Sequence, residues 1–124
     1  MKYKILIVDD EKDLRDLISY FLLREHFEVQ TAENGKDAFE KVQTWNPNLV
    51  ISDIRMPIWD GFELLRKLSA NALKTPVMFI SGYVGGDEEV LKNDPNCVGF
   101  IPKPVTKTEL VRLVKEQQSR QAHA

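Results

Sequence analysis

Cysteine is nearly absent from this chain: Cys97 is the only one among 124 residues. That excludes an intramolecular disulfide and a cysteine-built zinc site, and a reducing cytoplasm is the compartment that suits such a composition. An excess of either charge is also lacking, since 17 Lys and Arg stand against 19 Asp and Glu, for a formal net charge of −2. No basic field is available to hold a polyanion, which argues against direct nucleic-acid binding. Long apolar runs are missing too. Met1-Lys2-Tyr3-Lys4 leads into Ile5-Leu6-Ile7-Val8, but Asp9-Asp10-Glu11 ends the run; it is too short for a secretion signal. Nothing elsewhere approaches the roughly 20 apolar residues of a membrane span. The chain reads as one soluble domain, long enough to bury an apolar core unaided.

What is present is an alternation. Short apolar runs and helical patterns follow one another five times, and the runs are continuous, as expected for a parallel sheet covered on both faces. The strand candidates are Tyr3 to Val8, Phe27 to Thr31, Leu49 to Ser52, Val77 to Ile80 and Val98 to Ile101, all rich in β-branched or aromatic residues. In the first helix Leu14, Leu17, Ile18, Phe21 and Leu22 recur at three- and four-residue spacing and are expected to line one buried face. The second opens near Asn34-Gly35 and packs Ala38, Val42 and Trp45. The third starts at Asp60-Gly61 with Glu63 three positions on, a capping-box pattern that Thr106 and Glu109 repeat before the fifth. These helices are expected to pack Phe62, Leu65 and Leu68, and Leu110, Leu113 and Val114, respectively. The fourth, between Gly85-Gly86 and Asp94-Pro95-Asn96, is expected to be short. After Val114 the apolar stripe gives way to a polar, Gln-rich end, either a fraying helix or the start of a linker. The expected division is a domain over 1–116 and a polar tail over 117–124.

In an open parallel sheet, ligands bind beyond the carboxyl ends of the strands. The first strand candidate ends at Asp9-Asp10, the third at Asp53 and the fourth at Ser81, while the fifth runs through Pro102 to Lys103-Pro104. Each residue alone has an ordinary explanation as a helix cap, a turn or a solvated side chain. Together they direct three carboxylates, a hydroxyl and a lysine to one edge. The second candidate ends at Thr31-Ala32, which fits an edge position away from the site. Clustered carboxylates repel, and either raised pKa values or a bound cation must relieve them. An all-oxygen ligand set favours a hard cation, and Mg2+, which completes its shell with water and phosphate oxygens, is the natural choice. A carboxylate beside such a cation is a route to an aspartyl phosphate.

These motifs resemble one family along nearly the whole chain: the receiver domains of two-component response regulators. The likeness rests on Asp9-Asp10, on Asp53-Ile54-Arg55-Met56-Pro57 followed by Asp60-Gly61, on Ser81-Gly82, and on Lys103-Pro104 preceded by Phe100, in family order and spacing. It implies an α/β, flavodoxin-like (βα)5 three-layer sandwich around a parallel five-stranded sheet of order 2-1-3-4-5, an arrangement for which a receiver is a standing example. It further implies Asp53 as phosphoacceptor, with Mg2+ bound by Asp10, Asp53 and the backbone carbonyl of Arg55, and by Asp9 through water. Ser81 and Lys103 would hold the phosphoryl group, the Lys103-Pro104 bond would be cis, and Ser81 and Phe100 would form the switch. The donor would be a histidine kinase or histidine phosphotransfer protein, in a bacterial cytoplasm. The output would be a protein partner reading helix four, strand five and helix five, or a phosphorylation-dependent dimer.

Some positions depart from the commoner family pattern. Ser81 stands where threonine is frequent, and Gly82 where alanine is, which loosens the loop. Asp94-Pro95-Asn96-Cys97 replaces a small-residue turn, with Asn96 expected to supply a left-handed cap. Phe100 lacks a tyrosine hydroxyl, and Arg55 and Tyr83 lie near the approach of hydrolytic water. Trp59 and Cys97 read as packing residues, and His26 and His123 lack ligand partners at useful spacing. Two rivals fail on particular residues. An aspartyl-phosphate hydrolase usually needs a second acid two positions after its nucleophile, where Arg55 stands. A flavodoxin-type carrier needs a phosphate loop where Asp9-Asp10-Glu11 stands. A complete regulator and the receiver of a larger protein remain equally compatible with the chain.

Overall fold

The computed structural model describes residues 2–82 and 86–123; Tyr83 and Gly85 fall outside them. Five strands and five helices alternate: β1 Lys4–Val8, α1 Lys12–Arg24, β2 Glu28–Ala32, α2 Gly35–Trp45, β3 Leu49–Asp53, α3 Gly61–Ala70, β4 Val77–Ser81, α4 Asp87–Leu91, β5 Cys97–Pro102 and α5 Lys107–Ala122. The strands form one parallel sheet of order β2-β1-β3-β4-β5. The expected topology is observed, including β2 at an edge. No helix among the described residues is long and apolar enough to cross a membrane.

Alternation along the strands divides the core between two faces. Leu6, Val8, Val50 and Phe79 face α2, α3 and α4 through Ala38, Val42, Leu64, Leu68 and Leu91. Ile5, Ile7, Ile51 and Ile80 face α1 and α5 through Ile18, Leu22, Leu110 and Val114. The three central strands are buried along nearly their whole length, whereas β2 and β5 are only partly covered. Burial on both faces explains why the runs of the three central strands are apolar without alternation.

The caps behave as sequence chemistry demands. Asn34, Asp60 and Thr106 accept hydrogen bonds from the backbone N–H groups of Asp37, Glu63 and Glu109 at 2.9, 3.0 and 3.3 Å. The reciprocal half of the capping box is absent. Glu63 instead meets Arg66 at 2.7 and 2.9 Å, because an arginine one turn on offers its carboxylate two donors. Leu17 corrects the reading of α1: it is 42 % exposed, while Ile18 and Leu22 carry the contact with the sheet. The buried stripe is narrower than the apolar one. Asn96 is a second correction, since it does not take the left-handed conformation. It is buried, and its amide donates to the carbonyls of Leu73 and Thr75 at 2.9 Å each, closing the chain entry to β4.

Across the Gln-rich end, α5 continues as helix to Ala122. Polar contacts replace the apolar stripe there. Gln117 is buried, Gln121 donates to the Asn48 carbonyl at 3.0 Å, and the Tyr3 hydroxyl donates to Gln121. The last turns of α5 thereby pack against the amino ends of β1 and β3.

Gly35 marks a tight approach that bears on the site. Its N–H donates to the Trp59 carbonyl at 2.9 Å, and a Cβ there would lie 2.6 Å from that oxygen. Backbone cannot yield as a side-chain tip does, so Gly35→Ala is expected to cost about 1–3 kcal/mol. Urea unfolding measures this; an unchanged midpoint and slope would show that the loop after β3 adapts freely.

Candidate functional site

Parallel pairing brings the carboxyl ends of all five strands to one edge. In register, Val8 lies opposite Ser52, so the next residues, Asp9 and Asp53, emerge side by side, with Asp10 following. One carboxylate oxygen from each of Asp9, Asp10 and Asp53 lies within 4.8 Å of the others, and this is the one such group of three or more candidate ligands among the described residues. Asp9 is fully buried and Asp53 8 % exposed, while Asp10 faces solvent.

Asp9 carries the electrostatic burden. One carboxylate oxygen accepts the Glu11 N–H at 2.8 Å, but its buried Oδ2 has no protein partner. Burial pushes its carboxyl up to about 6, and the charges of Asp53, Asp10 and Glu11 add to the rise against the opposing Glu11 amide. A buried, unpaired carboxylate oxygen beside two further acids is the chemistry of a hard-cation site, so these residues fit a divalent ion. The backbone beneath them is held tightly. The Asp9 N–H donates to the Ala32 carbonyl at 3.1 Å, and the half-buried Arg15 reaches the Asp9 carbonyl at 2.7 Å.

Asp53 accepts the Ile54 N–H at 2.8 Å, and the Lys103 ammonium stands 3.6 Å from its carboxylate. Lys103 arrives from β5, where its N–H donates to the Ser81 carbonyl at 2.9 Å and its bond to Pro104 is cis. Ser81 ends β4, buried. A cavity of about 370 Å³ joins Asp10, Asp53, Ser81 and Lys103, and also Arg55 and Asp87. A neighbouring one, of about 360 Å³, is shared by Ser81, Lys103 and Phe100. Phe100 is half-buried, its ring 6.4 Å from that of Phe79. Gly82 leaves ordinary room for a methyl group, 3.5 Å from the Lys103 side chain.

Asp10, Asp53, Ser81 and Lys103 therefore share one cavity, with Asp9 buried beside them and Phe100 in the neighbouring one, while the residues set aside lie elsewhere. The ring of Trp59 lies 5.8 Å from that of Phe39, between α2 and α3. His26 and His123 are exposed. Cys97 packs against the core, where burial pushes its thiol up. Sequence reasoning missed Asp87 and its ion pair with the Arg55 side chain, at 2.7 Å. The two lie 32 positions apart, so no local spacing announces them.

A family profile described as "Response regulator receiver domain" matches residues 5–115. Among curated relatives, the chain is 35 % identical to "Probable transcriptional regulator ycf29" of Porphyra purpurea, over 93 % of this chain and 56 % of that protein. It is 31 % identical to the "Alkaline phosphatase synthesis transcriptional regulatory protein PhoP" of Bacillus subtilis, over 93 % of this chain and 48 % of that protein. The chain thus spans about half the length of these relatives. Among solved structures, it resembles the receiver domain protein (CheY-like) of Methanospirillum hungatei with TM-score 0.88, 26 % identity and 100 % coverage of both chains. Against the chemotaxis regulator CheY4 of Vibrio cholerae the TM-score is 0.85 at 25 % identity, covering 94 % of this chain and 99 % of that one.

The Asp9 geometry predicts a pH signature in protein free of divalent cations. A carboxyl whose folded pKa lies above its unfolded value stabilises the fold at low pH, and that contribution is lost as pH rises from about 4 through about 6. Relative to the parent, Asp9→Asn should therefore gain about 3 kcal/mol of stability at pH 7.5 and little at pH 3.5. Urea unfolding at both values tests this; a pH-independent difference would contradict it.

Proposed function

We propose, from the premise that this chain belongs to the response regulator receiver domain family, that Asp53 accepts a phosphoryl group in a Mg2+-dependent reaction and that the modification alters a protein-binding face. The carrying observation is that Asp10 and Asp53, clustered with the buried Asp9, share one cavity with Ser81 and Lys103. The bound ion would be held by Asp10, Asp53 and the Arg55 backbone carbonyl, with Asp9 acting through water, and would supply charge neutralisation for the phosphoryl oxygens.

Asp53 is the nucleophile. Its carboxylate oxygen forms the bond to phosphorus as the bond from phosphorus to the donor's leaving atom breaks. Its Oδ1 bond to the Ile54 amide fixes the carboxylate plane. No separate base is required, because the carboxylate attacks in its ionised form. Lys103, within 3.6 Å of that carboxylate, pairs with the incoming phosphoryl group, and the Ser81 hydroxyl donates to it. The product adds a charge of about −2 at the head of β3. Inward movement of Ser81 then opens space that Phe100 can enter, since the two residues border one cavity, and the face built from α4, β5 and α5 changes shape. The donor is a histidine kinase or histidine phosphotransfer protein of the same cytoplasm, and the output is a protein contact, a phosphorylation-dependent dimer included. The net charge of −2 supports a protein rather than a nucleic-acid target.

With acetyl phosphate and Mg2+, intact-mass spectrometry should show one added phosphoryl group, absent after chelation and absent in Asp53→Ala. Undiminished labelling of that variant would overturn the assignment. Lys103→Ala, at an exposed side chain, should fold normally yet lose the response of the Phe100 ring resonances to beryllofluoride with Mg2+. A parent-like response would remove the coupling role given to the lysine.

A further inference from the structure

Helix α4 has only five residues, Asp87–Leu91, too few for its own hydrogen bonds to hold it. Its N-cap is Gly86, which brings no capping side chain. At its far end Leu91 is buried, but Val90 is 61 % exposed. The first turn is held instead by Asp87, whose carboxylate accepts from the Arg55 guanidinium at 2.7 and 3.3 Å. That guanidinium lies 5.1 Å above the Phe62 ring, with Asp60 at 3.9 Å. Arg55 follows the phosphoacceptor by two residues, and both Arg55 and Asp87 line the cavity that contains Asp53. The cation that pins α4 therefore borders the space a phosphoryl group would enter.

We infer that Arg55 is a phosphoryl-responsive tether: in the unmodified protein it fastens α4 to the loop after β3, and a phosphoryl group on Asp53 draws it from Asp87 and releases the helix. The inference rests on the reading of Asp53 as phosphoacceptor. A planar guanidinium matches phosphate oxygens as well as it matches a carboxylate, and the phosphoryl group offers about twice the charge. Arg55 exchanges one anionic partner for another, so it is never left unpaired. Asp87 then loses its cation beside Glu88 and Glu89, of which Glu89 keeps its ion pair with Lys92 at 2.9 Å, and the first turn of α4 loses its tie to the loop after β3. This route to α4 is separate from the movement of Ser81 and Phe100, and it places the Arg55 side chain, not only its carbonyl, in the response.

Hydrogen–deuterium exchange over residues 86–94 tests the tether, comparing each protein free and with beryllofluoride and Mg2+. In the parent, exchange in α4 should rise about five-fold on adding the mimic, the scale of losing one well-formed exposed ion pair. In Asp87→Asn and Asp87→Ala it should start at the raised level and gain little more. A parent-sized increment in both variants, or no increment in the parent while acetyl phosphate still labels Asp53, would overturn the tether alone. Failure of acetyl phosphate to label the parent would instead remove the phosphoacceptor reading beneath it.

Discussion

Three carboxylates with oxygens within 4.8 Å of one another stand at the head of this sheet, and the fold must hold them there against their own repulsion. At an effective dielectric constant near 20, two such charges 4 Å apart repel by about 4 kcal/mol. The opposing term is burial. Ile5, Leu6, Ile7, Val8, Leu49, Val50 and Ile51 are all fully buried, and each such side chain contributes about 1.5–3 kcal/mol. The strands that carry the acids are thus firmly fixed by burial, and the repulsion is stored rather than relaxed. The orphaned Oδ2 of Asp9 is where that storage is most visible.

On the proposed reading, such a cluster would give an incoming cation its binding energy and would leave an arriving phosphoryl group in need of positive charge. The cationic side chains lining the cavity come from opposite sides, Lys103 beyond β5 and Arg55 beyond β3. Lys103 already faces Asp53, whereas Arg55 is engaged with the first turn of α4. The half of the sheet built from β1 and β3 is rigid. Beyond the buried β4, the edge formed by α4 and β5 is thinly anchored, with a short helix and a partly covered edge strand. A receiver needs this asymmetry: chemistry on a fixed base, and a response in the part that opens at least cost.

Most of this was legible in sequence because it depends on strand ends. A parallel sheet aligns those ends, so Asp9, Asp10, Asp53, Ser81 and Lys103 could be brought together from spacing alone, and the caps at Asn34, Asp60 and Thr106 follow from local backbone chemistry. Readings that required knowledge of partners were less secure. Leu17 fits the helical period but falls outside the narrow stripe that the sheet covers. Asn96 was assigned a backbone role, whereas its amide serves two carbonyls far away in sequence. Gln117 and Gln121 read only as part of a polar tail, a fraying helix or the start of a linker, because polar packing of Gln121 against Tyr3 and Asn48 carries no hydrophobic signature. The pairing of Arg55 with Asp87 is invisible for the same reason, the partner being set by the fold.

The central claim is that acids from two adjacent strands form a single divalent-cation site facing Ser81 and Lys103. Paramagnetic broadening by Mn2+ in NMR spectra reads this directly. The account predicts that substoichiometric Mn2+ broadens amide resonances of Asp9, Asp10, Asp53, Ile54 and Ser81 first, and that excess Mg2+ restores them. Broadening centred elsewhere, such as on the acidic first turn of α4, or broadening that Mg2+ does not reverse, would contradict it.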